Sequence, residues 1–261
     1  MSGPHLIEWL ITLGVEAVVL ALLVHRRAFR QFPLFSIYLA WTIASDILLA
    51  VLFKWFPNRF LYSYLYETLI DSALQLGVLV ELAWSVLRPM RAMLPKWTLM
   101  VIAALILAAG AIVWPIAGIT PLKELPTQWH YQLRLEQTVS ILRVLFFVIL
   151  AAGSQLLSLG WRDRELQIAT GLGFFSLMGL IATFLHAQLP PEHSYSLVDQ
   201  IFVVGAYMCA LVYWGVSFLQ REAPRQEFSP QMQSLLLRIS GTAKANRIAL
   251  ENHSLPGDRR P

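Results

Sequence analysis

The chain has 261 residues, of which 57% are hydrophobic and 14% charged, more apolar surface than a soluble domain of this size can hide. Its net charge of +4 sits in loops and the carboxy-terminal tail rather than on a basic face, so membrane orientation explains it without a nucleic-acid partner. Cys209, the single cysteine, excludes an internal disulfide and a multi-cysteine metal site.

Apolar runs occupy residues 6–24, 34–56, 60–87, 97–119, 131–159, 166–188 and 195–219. Each approaches the ~20 residues that cross a hydrocarbon layer of ~30 Å. The expected fold is therefore all-α: a polytopic membrane protein whose lipid-embedded domain, 1–220, is a seven-transmembrane-helix bundle. The first run has no basic segment ahead of it and no small-residue cleavage pattern before His25-Arg26-Arg27, so it reads as a retained span. Proline and charge punctuate the breaks, at Pro33, Pro57, Pro89, Pro121 to Pro126, Trp161 to Glu165 and Pro190-Pro191. Trp55, Trp97, Trp129 and Trp161 fall near span ends, where an amphipathic ring prefers the headgroup layer.

Lysine and arginine divide unequally between the two sides. Arg26, Arg27, Arg30, Arg88, Arg91, Lys96, Arg162, Arg164 and seven tail residues make fifteen, against Lys54, Arg59, Lys123 and Arg134 on the other side. The positive-inside rule then places the N-terminus outside and the C-terminus in the cytoplasm, and makes the chain a multi-pass protein of the cell membrane.

Beyond Leu219 lies a basic tail, 221–261. Ser229-Pro230 can start an amphipathic helix over 229–251, with Met232, Leu236, Ile239, Ala243 and Leu250 on one face; a loosely ordered tail is the competing reading. Such a helix suits anionic lipid at the inner leaflet or a cytoplasmic protein partner.

A 128-residue shift superimposes Glu8 on Glu136, and Leu69, Asp71 and Gly77 on Leu197, Asp199 and Gly205. These matches raise a three-plus-one-plus-three arrangement with the fourth span as linker, against the alternative of chance coincidence.

Ionisable residues within spans are costly, ~2.5 to 3.5 kcal/mol each on insertion scales, which makes them the first functional candidates. They are Glu16, Asp46, Glu67, Asp71, Glu81, Glu136, Arg143 and Asp199. At ~100° per residue Glu67, Asp71, Val78 and Glu81 form one stripe on the third span, expected to face the bundle interior. Glu136 and Arg143, seven residues apart, share a face of the fifth, where Glu16, Asp46 or Asp71 can meet the arginine. Either the set is a packing network, or the acids line an outward-facing polar pocket with Arg143 at its floor.

No HExxH and no GxSxG occurs, so catalysis has no motif support and no cofactor is implied. His186 and His193, near Glu192 and Asp199, read as a solvated loop before a metal site. Ala169 and Gly173, then Gly179 and Thr183, have the small-xxx-small spacing of close helix packing.

The stretch Arg26-Arg27-Ala28-Phe29-Arg30-Gln31-Phe32-Pro33-Leu34-Phe35, followed by Tyr62-Ser63-Tyr64 and Glu67, resembles small uncharacterised seven-helix bacterial membrane proteins. The layout is also similar to the seven-helix sensor region of some bacterial histidine kinases. The resemblance implies a bacterial inner membrane and assigns no residue a role. Three functions stay open: a receptor-like sensor or binding module, a small-molecule or proton-coupled transporter, and an intramembrane enzyme.

Overall fold

The computed structural model describes residues 3–88, 97–117, 127–153, 163–188 and 198–220. The tail with its expected amphipathic helix, and the loop carrying Glu192 and His193, lie outside them.

Every regular element among the described residues is helical. They are α1 (Gly3–His25), a 3-10 turn (Ala28–Arg30), α2 (Pro33–Trp55), α3 (Pro57–Val86), α4 (Thr98–Val113), α5 (Thr127–Gly153) and α6 (Arg164–Gln188). A π-helical segment (Asp199–Val204) then leads into α7 (Gly205–Leu219). Pro33 and Pro57 open α2 and α3, where a missing amide proton costs nothing, and Phe56 alone separates those two helices. Arg27, at φ 56°, takes the left-handed conformation that turns the chain out of α1.

Five helices carry stretches long and apolar enough to cross a membrane: Pro33–Trp55, Tyr62–Val86, His130–Ala152, Arg164–His186 and Ile201–Leu219. Apolar side chains such as Ile11, Val51, Met100, Ile149 and Phe184 cover the outside of the bundle. A surface this apolar is one that lipid solvates, and the protein is an integral, multi-pass membrane protein. The remaining apolar stretches, Trp9–His25 and Thr98–Val113, are shorter. At ~1.5 Å rise per residue, the 16 residues of α4 fall short of a ~30 Å hydrocarbon layer, and α7 approaches it only together with the π-helical segment before it.

The helices form a ring in which α1 packs on α2 and α7, α2 on α3, α3 on α5, α5 on α6, and α6 on α7. Helix α4 flanks α3 and α5, and α3 reaches across to α6.

Along the bundle axis the interior is layered. The end where α7 finishes, here the carboxy-terminal end, is closed by cross-helix caps. The Leu34 and Phe35 amides donate to Glu81 Oε1 and Oε2 at 2.8 and 2.9 Å. Arg26 Nη2 donates to the Leu219 carbonyl at 3.0 Å. Arg164 donates to the carbonyls of Ser217 and, at 2.7 Å, Gln220, while its guanidinium lies over Phe218. Ser85 Oγ donates to Glu165 Oε1 at 2.7 Å.

Next comes an apolar layer of Leu23, Phe35, Leu39, Leu82, Leu172 and Trp214, all 0–1% exposed. Phe35 meets Trp214 edge to face, ring centroids 5.0 Å apart. Gly171 makes room for that indole, since a Cβ there would collide with Trp214. Gly173 admits Phe147 of α5, whose Cβ would lie 2.7 Å from an added methyl. The expected packing role of Gly173 is thus seen, whereas Gly179 faces open space and Gly171 is the closer contact.

Gly171→Ala should therefore overpack the α6–α7 seam by about 1–3 kcal/mol. Thermal unfolding of the detergent-solubilised variant reads this as a lowered midpoint, and an unchanged midpoint would show that the seam yields freely.

Candidate functional site

The other half of the bundle interior, toward the end where α1 begins, is polar. Its side chains come from the successive inward faces of five helices, and the hydrogen bonds follow helical spacing. On α3, Gln75 Nε2 donates to Asp71 Oδ2 one turn earlier at 2.5 Å. On α5, Gln132 donates to Glu136 at 3.3 Å within the helix and to Thr68 of α3 at 2.8 Å across it. A second set joins α1 to α7, where the Tyr207 hydroxyl donates to Glu16 Oε1, and Tyr207 also hydrogen-bonds Thr42 of α2. Tyr38, 2% exposed, hydrogen-bonds Gln75 and links the α2 face to Asp71.

Arg143 lies in this layer, 4% exposed. Its Nη2 donates to Ser140 Oγ at 3.1 Å and its guanidinium sits 5.5 Å from the centre of the Phe175 ring. Nε and Nη1 have no hydrogen-bond partner among the described residues. Of the acids expected to meet it, Asp71 acts on it electrostatically, together with Glu136 on its own helix. The charges of Glu16 and Asp46 act on each other instead.

Each candidate has a definite place. Glu16 is 1% exposed, with Oε2 buried and without a hydrogen-bond partner among the described residues. Glu67 and Asp71 are half-buried on the inward stripe of α3, with Val78 fully buried between them and Glu81, as the helical spacing predicts. Glu81 is on that stripe but far from Arg143 in role: both its oxygens hold backbone amides of α2. Glu136 is half-buried beside Gln132. Asp199 begins the π-helical segment, and its side chain is outside the described residues.

Among the described residues, Arg143 is not part of the lining of the cavity in this half of the bundle. The cavity that opens in the polar half, about 300 Å³, lies between α1, α2 and α3 and is lined by Trp9, Asp46, Leu49, Ala50, Phe53 and Phe60. Among the described residues no group of three or more His, Cys, Asp and Glu is placed to hold a metal ion.

Sequence reasoning passed over Tyr38, Gln75, Gln132 and Tyr207, which join the acids into a network. The signal was there: glutamine one turn from an acid, at Asp71–Gln75 and Gln132–Glu136, lets one side chain satisfy the other within a helix.

No family model, curated protein or solved structure matches this chain. Its integral membrane character and the arrangement of its buried polar groups are what define it.

Arg143→Gln should destabilise the bundle by about 1–3 kcal/mol by stranding buried polar partners. Adding Asp71→Asn should restore part of that loss, because the carboxylate no longer lacks its cation. A double-mutant cycle on unfolding midpoints reads the coupling, and strict additivity would mean that the two side chains act independently.

Proposed function

We propose that the protein is a receptor-like binding module of the cell membrane, with seven spans, the amino terminus outside and the carboxy terminus in the cytoplasm. The resemblance noted above makes a bacterial inner membrane its proposed location. The polar half of the bundle then opens toward the exterior, and a small molecule is its ligand. The basic tail passes the state of the bundle to a cytoplasmic partner or to anionic lipid.

The observation that carries this reading is the axial asymmetry of the interior. Polar side chains fill the half next to the proposed outer surface, while the proposed inner half holds a packed apolar layer beneath cross-helix caps. Closed packing of that kind suits a site that binds from one side. A carrier needs a path that reaches both sides, and Glu81, which such a path would use, already holds two amides of α2. Transport through intramembrane carboxylates is accordingly the second reading. Charge asymmetry supports the orientation, since Arg26, Arg27, Arg30, Arg88 and Arg164 gather at the capped end.

Single cysteines in a Cys209→Ser background, probed with a membrane-impermeant maleimide, test this. Asp46→Cys should react from outside, Arg88→Cys only from inside, and Leu82→Cys in the apolar layer from neither side. Labelling of Leu82→Cys from the inner side would mean that the layer opens and would favour the carrier.

A further inference from the structure

The groove between α1, α2 and α3 has a wall chemistry that the Arg143 network does not share. Three of its six lining residues are aromatic, two are aliphatic, and the sixth is Asp46. The aromatic wall is built rather than scattered. Phe53 of α2 meets Phe60 of α3 edge to face, centroids 5.5 Å apart and planes at 73°. Phe60 in turn stacks on Tyr64, with centroids 6.2 Å apart and an interplanar angle of 17°. Trp9 faces them from α1.

No lysine or arginine is among the six lining residues of the groove. Asp46 acts electrostatically on the carboxylates of Glu16, Glu67 and Asp71, and of these Asp71 also feels Arg143. Glu16 lies two turns along α1 from Trp9, hence on the same face, and its Oε2 is a buried oxygen without a hydrogen-bond partner among the described residues. Aromatic faces carry negative quadrupole potential, and a carboxylate at the inner end adds a full charge. Both attract a positive charge that brings its own apolar substituents, whereas an anion would meet the like charge of Asp46.

We propose that this groove binds an organic cation, an alkylated ammonium whose charge faces Asp46 and whose substituents pack on Trp9, Phe53 and Phe60. The proposal rests on the binding-module reading and names the chemical class of its ligand. The volume of about 300 Å³ is at the small end of ligand sites and suits a compact amine. Phe53, 57% exposed, leaves the groove open at its flank, so the cation can be a free amine or the ammonium of a lipid headgroup.

The test uses the full-length protein in phosphatidylglycerol nanodiscs with benzyltrimethylammonium, measured by isothermal titration calorimetry. Neopentylbenzene, the neutral carbon isostere of that ion, is the control. Wild type should bind the cation and show no comparable preference for the isostere. Asp46→Asn should weaken the cation by about tenfold or more, and Phe60→Leu should weaken it with the carboxylate intact. Unfolding midpoints establish that the variants fold, and Trp9→Leu, on a different helix, serves where either does not.

Absence of cation binding to wild type, equal affinity for the isostere, or full affinity in folded Asp46→Asn would overturn the proposal. If Asp46→Cys reacts from outside while no cation binds, the ligand class alone fails; if it is unreachable, the outward pocket fails too. Introducing phosphatidylcholine into the nanodisc separates the sources: competition identifies a lipid headgroup as the ligand, and its absence a free amine, each upholding the cation.

Discussion

The Glu81 carboxylate on the start of α2 is the interaction on which the rest of the bundle depends. Helix α2 begins with Pro33, and its flanking residue Phe32 offers no side-chain cap. The first bond of its own ladder runs from the Ser36 amide to the Phe32 carbonyl, at 3.1 Å. The Leu34 and Phe35 amides before it are therefore orphan donors. A local Ser or Asp ordinarily satisfies such donors; here a carboxylate from the neighbouring helix does so with both oxygens. That fixes the axial register of α2 against α3, which drops Phe35 onto Trp214 and turns Tyr38 toward Gln75 and Asp46 into the groove.

The same solution recurs at the other helix ends of that face. Arg26 and Arg164 take the terminal carbonyls of α7, placing cations at the negative end of its dipole. Charges that look like a loop's ordinary basic residues are thus part of the fold. Because the caps and the apolar layer tie this end together, the polar half is free to differ, and it is there that groups without full partners accumulate, in Arg143 and Glu16.

Much of this was legible in the residues. The apolar runs and prolines placed α1, α2, α3 and α6 to within a few residues, because lipid permits little beyond continuous helices. Helix α4, by contrast, ends at Val113, six residues short of its run, and α7 opens through a π-helical segment. The stripe of Glu67, Asp71, Val78 and Glu81 followed from helical spacing alone. What spacing could not supply was the third dimension. Nothing in the sequence says that Glu81 reaches the Leu34 amide, forty-seven positions away, or that Glu16 pairs with Tyr207 rather than with Arg143. Gly171 carries no packing signal in the sequence, since its partner Trp214 lies on a different helix. The groove escaped notice because aromatic residues such as Trp9, Phe53 and Phe60 look like ordinary lipid-facing residues until three helices bring them around one aspartate.

The most direct measurement is hydrogen exchange at the Leu34 and Phe35 amides in wild type and in Glu81→Ala. If the carboxylate is the cap of α2, removing it should speed exchange at these two amides by about tenfold or more, while the far end of α2 keeps its protection. Unchanged protection at Leu34 and Phe35 would contradict the account and return Glu81 to the acids available for a path through the membrane.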